Sequence, residues 1–298
     1  MRVVTPISLL SEPEECAKAL DSLAIGEKIE ILTLENGWYT VFPEGYLPED
    51  CLRKPEDFLI VIDPGHQKKG NSEKEPIGPG ASEKKAKVAS GTQGAATGIP
   101  EYKLTLEVSL KLRDTLESKG YRVEMIRTNH DINISNAQRA QTANGQYADV
   151  FIRIHANGDS NPLTNGIMTL CQTKSNPYNG HLYHLSNLLS TLILDEMVAA
   201  TGAKRQFVWE TDTMSGINWC QVPVTIVEMG YMSNPEEDRL MATAEYQQKL
   251  AVAHETGDRM PDDLAAKLKA SRYFLPATDN MGQLCIAKLD LEMHMHYN

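Results

Sequence analysis

The chain has 298 residues, enough for one large domain or two unequal ones, and its 41% hydrophobic and 23% charged residues are ordinary for a globular protein with a sizeable core. No apolar run reaches the roughly 18–20 residues that span a bilayer. A net charge of -11 argues against nucleic acid as a partner, because phosphate binding needs a basic face. The charge is uneven: residues 1–57 carry 5 Lys/Arg and 12 Asp/Glu, a net of -7, which leaves -4 for the other 241 residues and marks the first segment as a separate unit. The five cysteines, Cys16, Cys51, Cys171, Cys220 and Cys285, contain no CxxC pair and, being odd in number, give no disulfide framework, although a Cys16–Cys51 bridge stays open. The first residues, MRVVTPISLLSEPEEC, lack the h-region and cleavage site of a signal peptide.

Residues 1–56 read as short strands. In KIEILTL the apolar residues Ile29 and Ile31 alternate with charge and then slip by one phase to Leu32 and Leu34, a slip that a bulge absorbs. Asn36-Gly37 supplies a hairpin turn, Trp38–Val41 the return strand, and Gly45-Tyr46-Leu47 the start of another. With Leu23–Gly26, NGWYTV and GYLPEDCL in this order, the segment resembles a bacterial Src-homology-3-like domain. The resemblance implies a small all-β barrel that targets the cell wall; a generic barrel without a ligand is the plain alternative.

After the polar linker RKPED, FLIVIDPGH is a continuous apolar run of the kind that forms a fully buried parallel strand, with Asp63 and Pro64 breaking it. Residues 67–98, rich in Gly, Ser, Lys and Pro, read as a long loop, and loops of that length in a compact domain are usually functional. Residues 101–119 read as an amphipathic helix closed by Gly120, YRVEMIR as a strand, 133–147 as a helix and DVFIRIHAN as a second buried strand. GIMTLCQ is a further strand, 181–200 a long helix, VPVTIVEMGYMSN strand and loop, and 236–260 helical. Strands alternating with helices imply an α/β domain with a mostly parallel twisted sheet flanked by helices. The expected boundaries are 1–56, 57–262, and a C-terminal extension at 263–298, whose tail LEMHMHYN carries His294 and His296.

Parallel sheets place ligand sites outside the carboxyl ends of their strands. His66, His155 and Glu228 each follow or end a buried run, so three titratable residues converge on one crevice. A single histidine after a strand is more often structural, but two on neighbouring strands point to a metal. A catalytic zinc takes three protein ligands and keeps one position for water. Glu101, opening a helix just after Gly98-Ile99-Pro100, is the third candidate; a favourable charge at a helix N-terminus is the alternative. Glu107, deeper in that helix, faces elsewhere. Glu228, in TIVEMG, is costly to bury without a purpose and is the candidate general base; otherwise it bonds a backbone N–H or Arg139.

Together IVIDPGHQ, GIPEYKLTLEVSLKLRDTLESKGYRVEMIRT, ISNAQRAQTAN, ADVFIRIHANG and VPVTIVEMGYMSNPEEDRLM resemble the type-3 family of zinc-dependent N-acetylmuramoyl-L-alanine amidases, over about 200 residues in the family's order. The resemblance implies zinc (Zn2+) on His66, Glu101 and His155, with Glu228 as the catalytic carboxylate. It implies hydrolysis of the amide between N-acetylmuramic acid and L-alanine in peptidoglycan, and a place outside the cell or in the wall. Arg153, where a small polar residue is common in the family, and Asn157 are the candidate substrate contacts. Two other readings stand beside it: a zinc peptidase acting on stem peptides, and an inactive wall-binding or regulatory protein. Oligomeric state, and the choice among autolysin, sporulation or germination enzyme and phage lysin, are not in the sequence.

Overall fold

The computed structural model describes residues 58–251, Glu56, and the backbone of seven strands between residues 2 and 53. The chain divides into two compact units, with the boundary between Phe58 and Leu59 and the second unit running to His254. In the first, strands β1 (Arg2–Val3) and β7 (Leu52–Arg53) pair antiparallel. β2 (Ile7–Leu10), β3 (Ala19–Leu23), β4 (Glu30–Glu35), β5 (Trp38–Phe42) and β6 (Gly45–Pro48) form a sheet in the order β3-β2-β6-β5-β4. The β4–β5 register shifts between Ile31 and Thr33, where the apolar phase of the sequence slips. The turn residues Asn36 and Gly37 lie outside the described residues, as do 252–298 with His294 and His296.

The second unit is built on six strands: β8 (Leu59–Pro64), β11 (Arg122–Met125), β12 (Val150–Asn157), β13 (Ile167–Cys171), β14 (Arg205–Glu210) and β15 (Val224–Tyr231), in the order β11-β8-β12-β15-β13-β14. β11, β8, β12 and β15 run parallel; β13 meets β15 antiparallel, and β14 follows β13. All six residues of β8 and all five of β13 are buried, as expected for strands covered on both faces. On one face Val61, Phe151, Leu170 and Ile226 pack with Ala140 and Ala143 of helix α2 (Asn136–Gly145) and Ile217 of α4 (Ser215–Asn218). Each such large side chain contributes roughly 1.5–3 kcal/mol on burial. α1 (Glu101–Ser118) and α3 (Tyr183–Thr201) lie against strands of the same sheet, and α5 (Pro235–Met241) and α6 (Ala244–Ala251) complete the described part. None of the described helices is long and apolar enough to cross a membrane.

Three sequence expectations change. Asp63 and Pro64 do not break the first strand but lie within it, opposite Arg153 and Ile154 of β12. Glu228 is likewise inside β15 rather than at its end, and β12 continues two residues past His155. The expected loop over 67–98 contains an antiparallel hairpin, β9 (Asn71–Pro76) with β10 (Lys84–Val88). It is held to the domain by bonds made at long range: the buried Glu75 carboxylate accepts from Ala137 N at the start of α2, the Trp219 indole donates to Pro76 O at 2.8 Å, and Lys85 Nζ donates to Thr213 O.

Candidate active site

α1 begins at Glu101, so this carboxylate sits where a helix N-terminus favours negative charge. Its position is set further by backbone donors, Thr92 N to Oε2 at 2.8 Å and Ala156 N to Oε1 at 3.1 Å. His66, two residues past β8, takes a left-handed backbone conformation, φ 61°, uncommon for a residue with a side chain. Its Nδ1 lies 2.9 Å from Ala89 O, which can only accept, so Nδ1 carries the proton and Nε2 presents a lone pair. That lone pair points at Glu101 Oε1, 3.1 Å away. His155 Nδ1 is 3.2 Å from both His66 Nε2 and Glu101 Oε1, and the two rings meet edge to face. A side chain at position 65 would collide with the His155 ring, its Cβ within 2.4 Å of Cε1, which explains the glycine before His66. Gly91, with φ 81°, closes over His66 and Glu101 in the same way.

Burial opposes ionisation of Glu101, but hydrogen bonding to the His155 and His66 imidazoles outweighs it and holds its carboxyl well below the usual range. Burial pulls His155 down to about 4 against the pull of Glu101, so its imidazole is neutral at pH 7. Three polar atoms, His66 Nε2, Glu101 Oε1 and His155 Nδ1, thus crowd within 3.1–3.2 Å of one another, an arrangement that a shared cation would satisfy. Two imidazole nitrogens and one carboxylate oxygen also match the donor set of a catalytic zinc, and their mutual spacing is near the roughly 3.3 Å edge of a tetrahedron with bonds of about 2.0–2.1 Å. The residues fit the metal that the sequence implies.

Glu228 stands in register with His155 on the neighbouring strand. Its Oε2 is shielded from solvent and has no hydrogen-bond partner. Burial, helped by the charge of Glu101 and opposed by Arg153, pushes its carboxyl up to about 8. His66, Glu101, His155 and Glu228 line one open cleft of about 550 Å³, with Asn157, Asp159, Thr92 and Ser233 along its walls, a volume typical of small-molecule sites. The β12–β15 register shifts just here, between His155 and Asn157, and such bulges re-aim side chains beside active sites.

Arg153, expected at the substrate, is instead buried beside the sheet and absent from the cleft lining. Its guanidinium donates to Asp63 Oδ2 at 2.9 Å and to Asn136 Oδ1 at 2.8 Å. Arg139, the alternative partner weighed for Glu228, bonds Asp63. Glu107 faces outward as expected and accepts from Gln247. The residues that sequence reasoning passed over are Asp63 itself, Arg127, and the backbone N–H groups of Thr92 and Ala156. An aspartate inside an apolar run was the available signal for the first; the backbone donors left none.

Two histidines and two carboxylates gathered toward the carboxyl side of an α/β sheet, one carboxylate with a shielded oxygen that has no partner, define a hydrolase site suited to a divalent metal. A family model described as N-acetylmuramoyl-L-alanine amidase matches residues 60–257, and the chain belongs to that family. An N-acetylmuramoyl-L-alanine amidase of Mycobacterium tuberculosis is 28% identical over 204 residues, covering 65% of this chain and 82% of that protein. The germination-specific N-acetylmuramoyl-L-alanine amidase of Bacillus subtilis is 26% identical over 212 residues, covering 65% of this chain and 75% of its own length. The crystal structure of the N-acetylmuramyl-L-alanine amidase Ami1 from Mycobacterium smegmatis matches with a TM-score of 0.60 at 28% identity, over 67% of this chain and 94% of that one. The enzyme class is thereby N-acetylmuramoyl-L-alanine amidase, a hydrolase of peptidoglycan.

Proposed function

We propose that this amidase is zinc-dependent, with His66 Nε2, Glu101 Oε1 and His155 Nδ1 as ligands and Glu228 as general base and acid, and that it cuts between the lactyl group of N-acetylmuramic acid and the first L-alanine of the stem peptide. The observation that carries this is the pair of acceptors, His66 Nε2 and Glu101 Oε1, held 3.1 Å apart with a second imidazole nitrogen closing the triangle. A bound zinc ion supplies Lewis acidity to the carbonyl oxygen and the attacking water. Glu228, ionised, takes a proton from that water; protonated, it donates to the departing amide nitrogen. Its raised affinity for protons suits the second role, and a divalent cation beside it favours the ionised form needed for the first. Asn157 and the walls around it hold the substrate.

Digestion of purified peptidoglycan, followed by mass spectrometry, releases stem peptides that start with L-alanine and leaves intact muramic acid; a chelator abolishes the release and added zinc restores it. Peptides shortened from their carboxyl end, with the muramoyl bond intact, would establish the stem-peptidase reading instead. Stem peptides released at an undiminished rate by metal-stripped protein would remove zinc from the reaction.

Residues 1–56 are assigned to wall binding on the strength of the Src-homology-3-like motifs and the five-stranded sheet that carries them, residues 57–262 to the catalytic domain. A chain beginning at residue 58 is expected to lose most of its retention on insoluble peptidoglycan while keeping its rate on soluble muropeptides. Equal retention of the two chains rules out the targeting role.

A further inference from the structure

We infer that Arg127 and Arg139 are positioning residues for the metal site, a reading that rests on the ligand set proposed above. The turn Pro64-Gly65-His66 delivers His66 in a left-handed conformation, and such positions persist where the surroundings over-determine them. Here the surroundings are guanidinium groups. Arg127 donates from Nε to Pro64 O at 2.9 Å and from Nη2 to Gly65 O at 3.0 Å. Arg139 donates from Nη1 to Pro64 O at 3.1 Å and from Nη2 to His66 O at 3.0 Å. Every carbonyl of the turn is thus held by an arginine that is itself at most 3% exposed.

Arg127 does more than brace one loop. The same Nη2 donates one hydrogen to Tyr102 O at 2.7 Å, one residue past Glu101, and shares the other between Gly65 O and Thr105 Oγ1, 3.1 Å away in the next turn of α1. The Thr105 hydroxyl in turn donates to Gly65 O at 2.9 Å. One planar fork therefore ties the backbone that carries His66 to the helix start that carries Glu101, and sets the distance between two ligands. A lysine keeps the charge but offers a single point of donation, so it cannot reproduce this geometry. Arg153 shares the Asp63 carboxylate with Arg139 yet touches no carbonyl of the turn, which makes it the internal control.

The test measures zinc affinity by competition with a chelating dye, well below the melting temperature and alongside thermal unfolding, in the full chain and in Arg127→Lys, Arg139→Lys, Thr105→Val and Arg153→Lys. Positioning predicts a zinc Kd raised roughly 10- to 100-fold in Arg127→Lys and Arg139→Lys, the range for lost outer partners of metal ligands. It predicts a smaller rise in Thr105→Val, which keeps both arginines and stands in should either lysine variant fail to fold. Arg153→Lys lowers the melting temperature and leaves the Kd where it is. Melting temperatures that fall in the arginine variants and Thr105→Val, with zinc Kd unchanged, overturn the inference and leave the ligand assignment intact. A wild-type chain that takes up no zinc overturns the ligand assignment, and this inference with it.

Discussion

Glu228→Gln lowers kcat on purified peptidoglycan roughly 10²- to 10⁴-fold, the range set by loss of a positioned general acid–base, while bound zinc stays at the wild-type level. Glutamine matches the shape of glutamate but neither takes nor returns a proton. It keeps the packing against β12 and β13, where Glu228 lies opposite His155 and Met168. The zinc measurement makes the experiment decisive, because Glu228 is not one of the three residues whose donor atoms cluster. If the variant loses zinc together with activity, Glu228 is a ligand and the base lies elsewhere. If it retains more than a tenth of wild-type activity, no proton transfer of consequence passes through this carboxylate. The corresponding loss for a ligand, in His155→Ala or Glu101→Gln, differs in kind: zinc content and activity fall together.

The elements that position this site were legible where one physical cause dominated the local sequence. β8, β12 and β15 are almost wholly buried, and burial on both faces writes itself as dense Val, Ile and Leu (LIVI in β8, VFI in β12, VTIV in β15) even where a polar residue interrupts the run. The start of α1 was equally plain, with a proline just before Glu101 and apolar spacing after it. The β9–β10 hairpin was not legible, because NSEKEP and KKAKV carry no apolar alternation to bury. Its strands are held by partners in α2 and around α4, far along the chain. β14 (RQFVWE) was missed too: its Phe207 and Trp209 stay largely exposed at the sheet edge, so no core pattern marks it.

At the site, the residues that the structure brings together, His66, Glu101 and His155, could be named from the sequence, and what holds them in place could not. Histidines and glutamates in or just after buried runs, or opening a helix, are visible as letters. That Glu101 is aimed by the N–H groups of Thr92 and Ala156 is a fact about backbone, which every residue supplies alike. Arg153 was misplaced for a related reason. An arginine two residues before a candidate site histidine looks like a substrate contact, and only the third dimension shows that Asp63 and Asn136 have taken its guanidinium. Asp63 was read as a strand breaker because aspartate usually is one; two buried arginines reverse that preference.

Asp63→Asn, for that reason, costs the fold more than any change in the cleft. The aspartate is fully buried, with Arg139 on one oxygen and Arg153 on the other, and neither arginine is more than 3% exposed. Removing one partner of a buried ion pair leaves uncompensated charge and typically costs about 3–5 kcal/mol. At roughly 2–4 °C per kcal/mol for a domain of this size, the melting temperature falls by about 6–20 °C. Burial by itself would raise the Asp63 carboxyl, but the two guanidiniums outweigh it and bring it down to about 2, from an ordinary 3.8. Because the folded-state value is the depressed one, the stabilisation is fully present above the unfolded value near 4 and is lost as pH falls toward 2. A shift of that size corresponds to about 2 kcal/mol. Wild type should therefore lose stability between pH 5 and 2 more steeply than Asp63→Asn, and the gap between the two unfolding free energies should narrow by about 2 kcal/mol as the solution is acidified. Parallel curves over that interval, or a neutral-pH loss below about 1 kcal/mol, would show that the remaining partners of the two arginines suffice and that the carboxylate is dispensable beneath the Pro64–His66 turn.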